Sequence, residues 1–143
     1  MDNGSVALRE SYPVRSGDFA TAGEASRKIK AILKKLGVDS GIVRRVSIAA
    51  YEVELNLVIH SMGGEMELIV KPDYLTLNIR DVGPGIPDVD LAMQEGYSTA
   101  SDDVRMMGFG AGMGLPNMKR NATDFFIHSE VGVGTTIEMG FKL

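Results

Sequence analysis

The sequence contains no cysteine. Disulfides, cysteine nucleophiles and thiolate zinc sites are therefore excluded, and a reducing compartment suits the chain. No stretch approaches the ~20 apolar residues that a membrane span requires. Residues 1–20 have no apolar run of signal-peptide length, so a cytoplasmic location is expected. Basic charge is not in excess either. The formal net charge is −4, which argues against a nucleic-acid partner held through phosphate contacts. An acidic protein can still bind a phosphate through a local cluster of donors.

What is present is ordinary for a globular chain. Hydrophobic residues make up 44% and charged residues 24% of the 143 positions. That length suits one domain, 1–143, with a core that needs no staples. Residues 6–14 alternate loosely as an edge strand. Asp18 is the expected N-cap of a first helix, with Phe19, Ala22, Ser26, Ile29, Leu33 and Leu36 as its core stripe and Gly37 as its stop. Asp39 or Ser40 opens a second helix, whose apolar face is Ile42, Val46, Ala49, Val53, Leu57 and the Ile59–His60 turn. Gly63 and Gly64 end it. Strands are expected over 65–71 and 74–80, joined at Pro72 and Asp73. Asp88 caps a short helix ending near Gly96. Residues 97–114 show no clear period. A helix then starts at Leu115, with Pro116 in its first turn, and strands follow over 123–129 and 135–143. The order β-α-α-β-β-α-α-β-β predicts a two-layer α/β (α+β) sandwich. Its sheet is mixed and mostly antiparallel, with helices on one face.

Four segments bear on chemistry. Glu52 and Asn56 lie four apart on the second helix and share a face. They read either as a base beside a metal ligand or as a solvated strip, and taken alone the strip is favoured. Glu54 lies between them, and His60 one turn on is assigned no role. Asp81 directly follows a strand, and Gly83 and Gly85 behind it let the backbone pass close to a flat ligand. The Asp81 carboxylate then offers an acceptor to an exocyclic amine; an ordinary turn is an equal alternative. Gly108, Gly110, Gly112 and Gly114 alternate ahead of a helix start at Leu115, where amides converge on an anion. This loop lacks both the ending of a P-loop and the spacing of a dinucleotide fingerprint. Finally, Gly134-Thr135 opens the last strand; Thr135 can bond to the base or, through water, to Asp81, and taken alone an ordinary turn is favoured.

Taken together, Glu52-x-x-x-Asn56, Asp81-x-Gly83-x-Gly85, Gly110-x-Gly112-x-Gly114-Leu115 and Gly134-Thr135 resemble the boxes of the GHKL ATPase superfamily. That is the Bergerat fold of gyrase, Hsp90, MutL and histidine-kinase catalytic domains. Within 143 residues a dimerisation helix pair and a phosphoacceptor histidine are not expected. The stretches 81–88, 96–99 and 114–116 are similar to small bacterial switch serine kinases of the RsbT type. Residues 131–137 look more like the sporulation anti-sigma branch, and the segment 98–112 is longer than the RsbT type suggests.

The resemblance implies ATP and Mg²⁺ as cofactors. Asn56 would hold the metal, Glu52 would be the general base, and Asp81 and Thr135 would select adenine. Gly83 and Gly85 would line the base. Gly108, Gly110, Gly112, Gly114 and Leu115 would wrap the phosphates, with Arg105 as a γ-phosphate contact. It further implies a protein serine/threonine kinase whose substrate is a STAS-domain anti-anti-sigma or antagonist protein. A sigma factor or a phosphatase would be a further partner, and a homodimer is allowed. The rival expectation is a non-catalytic ATP-binding module that sequesters a sigma factor.

Overall fold

The computed structural model describes residues 8–83, 85–86, 88–94 and 114–143. Five strands form one sheet in the order β1-β2-β3-β5-β4. They are β1 (Leu8–Val14), β2 (Gly64–Val70), β3 (Tyr74–Asp81), β4 (Asp124–Glu130) and β5 (Gly134–Lys142). Every described pairing is antiparallel, so the parallel component that a mixed sheet would contain is absent among the described residues. The helices are α1 (Glu24–Lys35), α2 (Ser40–His60), α3 (Val89–Ala92) and α4 (Gly114–Asn121).

Alternation decides which face is covered. Met66, Leu68 and Val70 on β2, Leu75, Leu77 and Ile79 on β3, and Ile137, Met139 and Phe141 on β5 are all buried. Against them pack Ile29 and Leu33 of α1, Val46, Ala49, Val53 and Leu57 of α2, and Leu115 and Met118 of α4. The residues between them on the strands, such as Arg80, Phe126, Thr136 and Glu138, are exposed. An antiparallel sheet tolerates one wet face in this way. α2 is the centre of the helical layer, with α1 packed on one side and α4 on the other.

The second helix starts as expected, the Asp39 carboxylate accepting the Gly41 amide at 3.0 Å. The first does not. Asp18 instead closes a turn, accepting from the Thr21 hydroxyl at 2.6 Å, and Phe19 and Ala22 precede the helix. The N-cap residue is Gly23, which has φ +96° and no side chain with which to cap. A distant residue does that work. Glu54 of α2, only 3% exposed, accepts the Ala25 amide at 3.1 Å and the Ser26 amide at 3.0 Å. A buried carboxylate is costly unless it is paired; here two orphan amides and the positive end of a helix pair it. Glu54 thereby locks α2 against α1.

Candidate functional site

The locked roll of α2 sends Glu54 toward α1 and leaves Glu52 and Asn56 on another face of the helix. Both are half-buried. Glu52 is met by α4, where the Asn117 side-chain amide donates to Glu52 Oε2 at 2.9 Å. Asn117 Oδ1 in turn accepts from Arg120 at 2.8 Å. A groove of about 400 Å³ beside β1 and α1 lies on the Glu54 and Val58 side of α2 and does not include Glu52 or Asn56.

The far end of α2 is tied to the loop that follows β3. The Met62 amide donates to the Val82 carbonyl at 2.7 Å, and the Val82 amide donates to the Gly63 carbonyl at 3.0 Å. Gly83 is buried against the backbone of Ser61 and donates to the Val133 carbonyl at 3.3 Å. Distances along the helix follow from its rise of ~1.5 Å per residue: from Ser61, Asn56 is ~7.5 Å back and Glu52 ~13.5 Å back. Asp81, Asn56 and Glu52 therefore succeed one another in that order.

Asp81 ends β3 and is half-buried. The Thr135 backbone amide donates to its Oδ1 at 2.7 Å. The link between these two residues is thus direct and through main chain, without the bridging water that was one of the two alternatives. The Thr135 hydroxyl faces Ser129 Oγ at 2.8 Å, and Ser129 Oγ also accepts the Ile86 amide at 2.7 Å. This network fixes the glycine loop onto the β4–β5 turn. Burial pushes the Asp81 carboxyl above its ordinary pKa, and the Thr135 amide pulls it part of the way back.

Two glycines make the close approach feasible. Gly134 has φ +152°, and a Cβ there would collide with the Asp81 carbonyl oxygen. Gly85 has φ +76°, and a Cβ would run into the Glu130 carbonyl. Gly114 and Leu115 form the start of α4, with Leu115 buried against α2. Arg105, Gly108, Gly110 and Gly112 lie outside the described residues.

The structure therefore gathers Asp81, Thr135, Gly83 and Gly85 at one end of α2. It sets Glu52 beside the first turn of α4, with Asn56 between. Sequence reasoning passed over Asn117, Ser129 and the capping role of Glu54. The one available signal was a polar residue in the first turn of a short helix after a glycine run, and it is weak. Among the described residues no three His, Asp or Glu side chains gather as a metal cage. An amide oxygen such as that of Asn56 suits Mg²⁺, a hard cation that takes few protein ligands and keeps water and phosphate for the rest. No described helix is long and apolar enough to cross a membrane.

Comparison with known proteins identifies the family of the fold. Residues 41–143 match the model of the family described as histidine kinase-, DNA gyrase B- and HSP90-like ATPase. The chain is 30% identical over 125 residues to serine/threonine-protein kinase RsbT of Bacillus subtilis, covering 85% of this chain and 86% of that one. It is 25% identical over 115 residues to the anti-sigma F factor of Geobacillus stearothermophilus, covering 76% and 75%. Another anti-sigma F factor, from Clostridium acetobutylicum, is 30% identical over 102 residues, or 68% of each chain. The chain belongs to the histidine kinase-, DNA gyrase B- and HSP90-like ATPase family, on the side of its RsbT and anti-sigma F members.

Proposed function

We propose that the chain is an ATP-dependent protein serine/threonine kinase of the partner-switching type, acting on a STAS-domain antagonist protein as one 143-residue domain. The observation that carries this reading is the order of groups along α2. Asp81 lies at one end, Asn56 follows, and Glu52 lies farthest away beside the first turn of α4. A nucleotide laid along the helix in that order has its base at Asp81 and its terminal phosphate near Glu52.

Each group then has a distinct task. Thr135 engages Asp81 Oδ1, which leaves Oδ2 to accept from the adenine amine. Gly83 and Gly85 keep the loop backbone near the plane of the base. The N-terminus of α4, at Gly114 and Leu115, offers amides and a positive dipole end to the phosphates. The Asn56 amide oxygen would hold Mg²⁺, which when bound neutralises charge on the phosphates. Arg105, Gly108, Gly110 and Gly112 complete the phosphate contacts in this reading.

In the transfer step a serine hydroxyl oxygen of the partner attacks the γ-phosphorus, and the bond to the β–γ bridging oxygen breaks. Glu52 accepts the hydroxyl proton, and ADP leaves. Support for the protein-kinase reading over plain hydrolysis comes from the RsbT relative, which is itself a serine/threonine-protein kinase.

The test is incubation with γ-labelled ATP and STAS-domain proteins encoded near the gene. Label is expected on the partner, and Glu52→Ala is expected to lose transfer while still binding ATP. Tight ATP binding without label on any partner would instead favour a module that sequesters a sigma factor. Phosphate release that is indifferent to partners would favour a simple ATPase.

A further inference from the structure

Asn117 stands between Glu52 and Arg120, and its amide has one orientation available to it. A guanidinium has donors only and a carboxylate acceptors only. The Asn117 oxygen must therefore face Arg120, at 2.8 Å, and its NH₂ must face Glu52, at 2.9 Å. A flip would set oxygen against carboxylate and NH₂ against guanidinium, so the assignment does not rest on convention. The Asn117 main-chain oxygen also accepts the Asn121 side-chain amide at 2.8 Å, which holds the residue from behind. Asn117 lies three residues after Gly114, in the first turn of α4.

We propose that Asn117 is a positioning residue for Glu52, so that the alignment of the base follows the placement of α4. This rests on the reading of Glu52 as general base given above. The bond to Oε2 fixes the rotation of the carboxylate and leaves Oε1 as the oxygen turned to the incoming hydroxyl. Because the same turn of α4 carries the amides offered to the phosphates, a nucleotide that seats against Gly114 and Leu115 also settles Asn117. Base alignment and phosphate binding are then one event. Bases in other sites are commonly oriented by a third group in this manner. Here the third group is a neutral amide held by an arginine.

The test uses the full chain under single-turnover conditions with γ-labelled Mg-ATP, reading phosphoryl transfer to water or to a STAS-domain acceptor. Asn117→Ala removes the donor. Asn117→Asp keeps the shape and sets a second carboxylate against Glu52, which guards against a loss due to packing alone. We expect Asn117→Ala to slow transfer by up to about a hundredfold and Asn117→Asp by at least as much, the cost of a misplaced reacting group. ATP affinity should stay within about twofold in both, which separates positioning from a merely structural role. In a Glu52→Gln background neither change should slow transfer further. Rates for both variants equal to the parent's, or losses that persist undiminished beside Glu52→Gln, would overturn the positioning role alone. A parent no faster than Glu52→Ala would overturn the reading of Glu52 as base and this inference with it.

Discussion

The amide of Thr135 donates to Asp81 Oδ1 at 2.7 Å, so a residue that opens β5 aims a carboxylate that closes β3. The two strands are neighbours in the sheet, and Asp81 sits one position beyond the last paired residues, Arg80 and Thr136. One oxygen is engaged by the fold; in the proposed site the other accepts from the adenine amine.

Asp81→Asn separates the two oxygens. The Asn oxygen can still accept from Thr135, so the fold should survive. Its NH₂ then meets the adenine amine, donor against donor, and ATP affinity should fall by about tenfold or more. Stability should move the other way. The folded-state pKa of Asp81 is raised, so its contribution to stability is full at low pH and declines as pH rises through the folded value. Asparagine has no such decline. Denaturant melts across acid to neutral pH should show the variant gaining on the parent as pH rises, with calorimetry showing weaker ATP binding. Unchanged ATP affinity would remove Asp81 from adenine recognition.

Gly134→Ala strains the same corner. A side chain at φ +152° costs roughly 1–3 kcal/mol in backbone energy alone. The new methyl also pushes the start of β5 away from the Asp81 carbonyl. Melting should report the loss, and ATP binding should weaken because Thr135 is carried off with the strand. A variant as stable as the parent would contradict the close approach.

Glu54 predicts a purely structural effect. Glu54→Ala leaves two buried helix amides without an acceptor, at about 3 kcal/mol or more. Glu54→Gln retains one acceptor and should lose roughly half as much. Chemical denaturation checks both. Equal stability of all three proteins would show that the two bonds do not hold α1 to α2.

Tyr74 offers a pH signature on the open face of the sheet. Its hydroxyl donates to Asp124 at 2.5 Å across Gly140. That bond, burial and the charges of Asp124 and Glu138 together push its pKa up to about 12. The raised value means that the bond stabilises the fold fully below the ordinary value of 10.0 and ceases to do so as pH climbs through about 12. The stability difference between the parent and Tyr74→Phe should therefore fade across that window. A difference that holds constant through it would contradict the assignment.

Local chemistry was legible in the sequence. Asp39 caps α2 through a neighbouring amide, and the alternation of Met66, Leu68 and Val70 declares the buried face of β2. What escaped depends on partners distant in the chain. The start of α1 is set by Glu54, 29 positions away from Ala25, while the nearer Asp18 is drawn into a turn with Thr21. Asn117 faces Glu52 across a separation of 65 positions, and no spacing rule reaches that far. Asp81 and Thr135 were readable as types, but only the register of β3 and β5 shows that main chain joins them without a water.

Titration calorimetry with Mg-ATP, set beside Mg-GTP, tests the central claim most directly. Guanine carries an oxygen where adenine carries its amine, so in the proposed site the second oxygen of Asp81 would repel one base and accept from the other. A saturable one-to-one heat with ATP, and affinity for GTP weaker by about tenfold or more, is the predicted result. Absence of any saturable heat with ATP would contradict the proposal that α2, Asp81 and Thr135 surround a single nucleotide.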